Sequence, residues 1–306
     1  MRARVVRAAR SPRRLSSPKA AISTASPLDS RTRLGTVNLV VADLPRSVAF
    51  YTQAIGLRLQ GQADGRALLG SGGPPLIELV EEPGAAPVDH STGLFHLALL
   101  LPDRVELARW VQHAIDDAIR VDGASDHVVS EAIYLSDPDG HGLELYVDRE
   151  RSIWDGKVQE LMTTLALDLP SLLAEVDPAD PTPYPGMPAG TVMGHVHLKV
   201  AEIPTTIQWY RDVLGFELTA IYGPQAAFLA TGGYHHQVGA NTWTSGGQSP
   251  SGPGTARLGH ITIELSDAAE RERVLGQVRA AGGETVEIEG AWQVTDPSGT
   301  VVRLVA

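Results

Sequence analysis

The 306-residue chain is about twice the length of a typical domain, which predicts two domains. Its 43% hydrophobic and 20% charged residues describe an ordinary globular protein, and no apolar run approaches the roughly 20 residues of a membrane span. Cysteine is absent, which excludes disulfides, thiolate nucleophiles, zinc–thiolate centres and iron–sulfur clusters; any metal must be held by histidine and carboxylate.

Residues 1–33 carry nine Lys/Arg against the single acid Asp29, whereas the remainder holds sixteen bases against thirty-five acids. An acidic body repels phosphate backbones, so no nucleic acid is expected as a partner, and no membrane either. The leader is similar to a transit peptide in composition, and Arg13-Arg14 is similar to a twin-arginine signal. No 7–15-residue apolar segment follows, however, which argues against secretion. The expectation is a disordered basic leader over 1–33, or an upstream start that is not used, on a cytoplasmic protein.

Alternation predicts a strand over 36–41. Helical periodicity follows over 44–55, with Pro45 in the first turn and Gly56 just past the end. Short strands are expected over 66–70 and 75–81, then a strand over 94–101. A helix over 103–119 would bury Leu107, Trp110, Val111, Ala114 and Ile115, and strands over 131–136 and 142–147 close the first half. Six prolines between 148 and 193 read as a linker, 149–191, with one short helix near 170–176.

Beyond the linker the pattern recurs after a shift of 159 residues: VADLPRSVAFYTQAIGLRL (41–59) lies over VAEIPTTIQWYRDVLGFEL (200–218), and DPDGHGLEL (137–145) over DPSGTVVRL (296–304). Such a constant shift signals duplication. Each half divides again into two strand–helix–three-strand modules, giving 34–85, 91–148, 192–244 and 257–306. Two domains are expected, 34–148 and 192–306. The Asp-Pro-x-Gly turns of modules two and four are hairpin signals.

This βαβββ tandem, with its helix openings and Asp-Pro-x-Gly closings, resembles the vicinal oxygen chelate superfamily over residues 34–306. Within it, GLFHLALLLPDR, GASDHVVSEAIYLSDPDGHGLELYVDR, GHVHLKV and GGYHHQVGANTW are similar to bacterial catechol-2,3-dioxygenase-like proteins. The resemblance implies an α+β fold of four βαβββ modules forming two cup-shaped, barrel-like sheets. It also implies a divalent metal inside a cup, held from first and last strands.

Residues i and i+2 share a strand face, so His195, His197 and Lys199 lie together opposite Val196, Leu198 and Val200. Glu144, Tyr146 and Asp148 likewise lie opposite Leu143, Leu145 and Val147. The superfamily pattern puts ligands at the starts of first strands and at a Glu four residues after the turn glycine. Carried over, it gives His96, Glu144 and His195, a two-histidine, one-carboxylate set with open positions, assembled between modules two and three. Modules one and four offer Thr36, His260 and Arg303, a degenerate set in which the fixed cation would repel a metal. Glu78 matches a ligand position of glyoxalase I, but its expected place is an edge strand facing solvent.

The donor set and the resemblance imply Fe(II), with Mn(II), Ni(II) or Zn(II) as alternatives. The implied activity is extradiol cleavage of a small aromatic substrate by O2. Candidate proton donors and acceptors are His197, His236 and His127, because an imidazole titrates near neutrality. His235 and His236 are expected on opposite faces. His127 could instead pair with Asp126. Lys199 could neutralise a developing anion or reach out of the cup. Tyr134, Tyr146 and Trp243 could wall an aromatic substrate or pack in the core. Rival readings are another metalloenzyme of the superfamily (a glyoxalase-like isomerase or a thiol transferase) and a metal-free binding module. A homo-oligomer is left open. The glycine-rich stretches at 70–73 and 245–254 lack the following helix of a phosphate site and read as loops.

Overall fold

The computed structural model describes residues 25–177 and 182–306. Residues 1–24 of the expected leader and 178–181 of the expected linker lie outside the described residues.

Module one comprises β1 (Arg33–Val41), α1 (Leu44–Gln53), β2 (Arg58–Ala63), β3 (Arg66–Gly70) and β4 (Ile77–Glu81). Module two comprises β5 (Gly93–Leu100), α2 (Arg104–Asp116), β6 (Gly123–Asp126), β7 (Ser130–Ser136) and β8 (Gly142–Asp148). The connection holds α3 (Arg151–Trp154), α4 (Val158–Leu161), β9 (Leu165–Ala166) and α5 (Leu169–Leu173). Module three has β10 (Val192–Lys199), α6 (Ile203–Ile207) widening into a π-helix over Gln208–Leu214, β11 (Glu217–Tyr222), β12 (Ala226–Ala230) and β13 (Val238–Asn241). Module four has β14 (Arg257–Glu264), α7 (Ala268–Ala280), β15 (Val286–Ile288), β16 (Ala291–Thr295) and β17 (Val301–Val305).

Three of the module helices start by the same device. Asp43, Asp103 and Asp267 accept from the backbone N–H three residues on, at 2.9, 3.0 and 2.9 Å, each cap contributing about 1 kcal/mol. Gly56 and Gly215 follow the first and third module helices in the left-handed region, at φ 88° and 102°, where a side chain would be strained. The helix predicted to 119 stops at Asp116, and Ile115 is exposed, not on the buried face.

Apolar residues of the central strands, among them Leu39, Leu97, Leu99, Val196, Leu198 and Ile261, enter one core with Tyr51, Trp110 and Val274 from the helices. Replacing buried Leu99 by Ala would cost roughly 2–5 kcal/mol. This leaves the other faces of the sheets free to line two cups.

Modules pair across the halves. The eight-stranded sheet runs β15-β16-β17-β14-β1-β4-β3-β2, joining modules four and one. The nine-stranded sheet runs β11-β12-β13-β10-β5-β8-β7-β6-β9, joining three and two. Hence the sequence halves 34–148 and 192–306 each contribute one module to each sheet. Within a half, a buried hydrogen bond links the modules: Tyr51 donates to Asp137 at 3.1 Å, and Tyr210 to Asp296 at 3.3 Å.

Three expectations change. The leader is not loose to residue 33: Leu28 is buried, its N–H donates to the Gly215 carbonyl at 2.9 Å, and Thr32 is buried as well. The 149–191 segment is more than a linker, because Trp154, Val158 and Met162 form an apolar cluster with Ala220 and Phe228 of module three. Its single-turn elements are too short to leave a periodic trace. Glu78 is neither on an edge nor facing solvent, since β4 lies between β1 and β3 and its side chain accepts from Asn38 and Arg66. No helix among the described residues is long and apolar enough to cross a membrane.

Candidate metal centre

Neighbouring strands set out the centre. β10 runs antiparallel to β5 with His195 opposite Ala98, and β5 runs parallel to β8 with Ala98 opposite Glu144. Ala98 is thus a small floor between two long side chains, and His96 joins them two residues away on the same face. The result is that His195 Nε2 and His96 Nε2 lie 3.1 and 3.0 Å from the same carboxylate oxygen, Glu144 Oε2. Ligand atoms from all three residues lie within 4.8 Å of one another, and all three side chains are buried.

His195 Nε2 is hydrogen-bonded to Glu144, yet the set does not satisfy all of its own members. His96 Nε2 is buried without a hydrogen-bond partner even at this distance from the carboxylate. Two ligands at right angles on bonds of about 2.1 Å stand about 3.0 Å apart, against about 3.4 Å for tetrahedral angles. The spacing fits a facial set with vacant directions. Burial opposes charge on Glu144, but His195 and His96 outweigh it and hold the carboxyl well below its usual range. Burial also pushes His195 down. An ionised carboxylate beside an imidazole that burial disfavours charging is the kind of donor pair that metal ligation needs.

The centre opens into a cavity of about 610 Å³, the size of a small-molecule site. His197 lies on its wall with its ring 5.1 Å from that of His96, buried, and burial keeps its imidazole well below the usual range. His236 lies 4.2 Å from His195, ring to ring, and burial lowers it likewise. His127 is not paired with Asp126, which instead binds Arg149. Its two nitrogens engage the Thr163 carbonyl and the Tyr134 hydroxyl, each at 2.7 Å. Tyr134 faces the cavity beside Glu144, and burial together with that carboxylate holds its phenol protonated. Trp243 stands at the mouth, 48% exposed, 5.1 Å from the ring of Phe95. Lys199 lines the cavity and is buried, so it does not reach out to solvent.

Two expectations fail. Tyr146 does not wall the cavity; it lies behind His195, ring to ring at 4.8 Å, with its hydroxyl 2.8 Å from that of Tyr234. His235 and His236 are not on opposite faces, because they occupy a turn before β13 and share a hydrogen bond between Nδ1 atoms at 2.8 Å. Asp148 Oδ1 receives His235 Nε2 at 2.9 Å and the Tyr234 hydroxyl at 3.1 Å. With Nε2–H of His235 donated to Asp148, its Nδ1 accepts from His236, which leaves the lone pair of His236 on Nε2. Sequence reasoning placed Asp148 on the right face but gave it no role. Phe95, Phe228 and Met162 on the cavity wall carried no signal beyond apolarity.

A duplicated chain that curls two sheets and gathers two imidazoles and a carboxylate in one of them has the architecture of the vicinal oxygen chelate fold, with a candidate metal site in one cup. The chain belongs to the Glyoxalase/Bleomycin resistance protein/Dioxygenase superfamily, which it matches over residues 33–145 and 192–304. It is 38% identical over 281 residues to a catechol-2,3-dioxygenase of Bacillus subtilis (strain 168), covering 90% of this chain and 97% of that one. Glyoxalase I from Zea mays superposes with a TM-score of 0.56 at 20% identity, over 90% of this chain and 92% of that one. A solved Bacillus subtilis protein provisionally assigned as a dioxygenase gives 0.64 at 15% identity, over 91% and 86%.

Proposed function

We propose that the chain is a metal-dependent extradiol dioxygenase that opens a catechol-type ring with O2, using Fe(II) held by His96, Glu144 and His195. The observation that carries this reading is the buried facial triad opening into a cavity of about 610 Å³. The 38% identity with a catechol-2,3-dioxygenase supports it. Bound there, Fe(II) supplies redox chemistry and the open coordination positions that a catecholate and dioxygen require.

The chain's own residues do the rest. His236, its tautomer fixed through His235 and Asp148, offers Nε2 to a substrate proton. His127 and Tyr134 form a second hydrogen-bonded pair beside Glu144, able to return a proton. Phe95, Phe228 and Trp243 give a flat ring apolar faces to lie against. The apolar cluster around Trp154 holds Met162 against the cavity wall, adding apolar surface there.

Anaerobic Fe(II) loading, metal analysis and oxygen uptake with catechol test this reading. The expected result is about one metal per chain, catechol-dependent oxygen uptake and a yellow ring-fission product. A loaded protein that consumes no oxygen across a panel of catechols overturns it in favour of another metalloenzyme of the superfamily. A protein that takes up no metal would be a binding module.

A further inference from the structure

The cavity holds one cationic side chain that neither the metal triad nor the proton-bearing groups use. Lys199 is the only Lys or Arg among the residues lining it. It is 6% exposed, and its Nζ donates to the main-chain carbonyl of Asp89 at 2.6 Å, a neutral partner. The Asp89 carboxylate acts on it only through space, its Oδ1 accepting from the Ser91 N–H and the Ser251 hydroxyl. Lys199 takes part in no ion pair among the described residues. A buried ammonium with no carboxylate in direct contact is costly to keep, and a directly bound anion would offset that cost.

Its position says what that is. Lys199 shares the cup face of β10 with His195 and His197, four residues and about 13 Å along the strand from the metal ligand at about 3.3 Å per residue. Between the two ends lie His197 and the aromatic rings of Phe95 and Trp243, each 5.1–5.5 Å from its neighbour. A ring held against them, with its vicinal hydroxyls at the triad, directs a substituent towards Lys199.

We infer that Lys199 receives a carboxylate borne on an arm of the substrate, so that the substrate class is a catechol with an acidic side chain rather than an unsubstituted or neutral one. The inference deepens the dioxygenase reading and rests on it. Charge-assisted hydrogen bonding to a buried ammonium discriminates an acid from its neutral ester.

The test is calorimetric binding of dihydroxyphenylacetate and of its methyl ester to the full chain, Fe(II)-loaded and kept anaerobic so that no turnover occurs. The acid is expected to bind at least about tenfold tighter than the ester, about 1.4 kcal/mol. Lys199→Met should bring that ratio close to one, and Lys199→Arg should keep the preference for the acid. Equal affinities in the unmodified protein, or an undiminished ratio in Lys199→Met, overturn the assignment. The unmodified protein alone decides the matter should either variant fail to fold. Oxygen uptake is read separately: its absence overturns the dioxygenase reading, while an acid preference lost in Lys199→Met still supports a carboxylate site. Turnover with equal affinities removes only the role of Lys199.

Discussion

The two cups are built to one plan and filled with different chemistry. In the cup formed by modules two and three, β10 sets His197 opposite His96; in the other, β1 sets Asn38 opposite His260. By the 159-residue shift, Thr36 stands where His195 does and Arg303 where Glu144 does. Thr36 spends its hydroxyl on the Pro75 carbonyl at 2.7 Å, and Asn38 donates to Glu78 at 2.8 Å. His260 is crowded by Arg303, Glu78 and Arg66, and burial foremost, then Arg303, pushes it down to about 4. The inward apolar faces are kept in both sheets, so the fold is set by one side of each strand and the chemistry by the other. A cup can therefore lose its ligands without losing its shape.

The widest expected separation between the cups is in metal binding. His96→Ala or Glu144→Ala should bring metal content and ring cleavage to background, because removing one ligand of three exceeds the roughly 10–100-fold cost of removing an outer-shell partner. His260→Ala should retain most of both. Metal analysis by mass spectrometry beside oxygen uptake makes the comparison, and equal loss in all three variants breaks it.

Much of that contrast was legible in the sequence through its resemblance to the superfamily. The alternation of β10 and β8 placed His195 and Glu144 on shared polar faces, and the superfamily pattern carried onto the repeat marked Arg303 as the misfit. What stayed hidden depended on tertiary placement. The polar strand β2 has no apolar alternation, and its residues are largely exposed, so only pairing with β3 makes it a strand. Tyr146 has the right face but is covered by Tyr234 from the other half. Residues 154–164 look like linker because no turn repeats, yet Met162 and Thr164 line the cavity. The geometry of the His235–His236 turn needed coordinates, since a strand register was the only guide the sequence offered.

Acid sharpens the comparison from the other side. His260 has a folded value of about 4 against an ordinary 6.5, so the unfolded chain binds its proton first. The neutral imidazole's contribution is complete above about pH 6.5 and is lost as the pH falls towards 4. At about 1.4 kcal/mol per unit the whole loss is about 3 kcal/mol at most. His260→Gln has no such group, so its stability should fall less between pH 7 and pH 4.5, as read from urea midpoints. An equal fall in both proteins would mean that the second cup does not hold its histidine neutral.

The smallest expected effect tests whether the two halves are alike where the two cups are not. Tyr51 and Tyr210 occupy equivalent helix positions and donate to Asp137 and Asp296 in the Asp-Pro-x-Gly turns. In each turn the other carboxylate oxygen is held by two backbone N–H groups, those of Asp139 and His141 or of Ser298 and Thr300. Removing the phenol oxygen thus leaves one acceptor without its partner and the turn otherwise intact. Burial raises both aspartates above their ordinary value, so protonation at the freed oxygen softens the loss. Tyr51→Phe and Tyr210→Phe should each cost about 1 kcal/mol and lower Tm by about 2–4 °C, with metal content unchanged. The sites share no partner, so the double variant should show the sum. A large loss from Tyr51→Phe alone would show that the half carrying His96 and Glu144 depends on its module link in a way the other half does not.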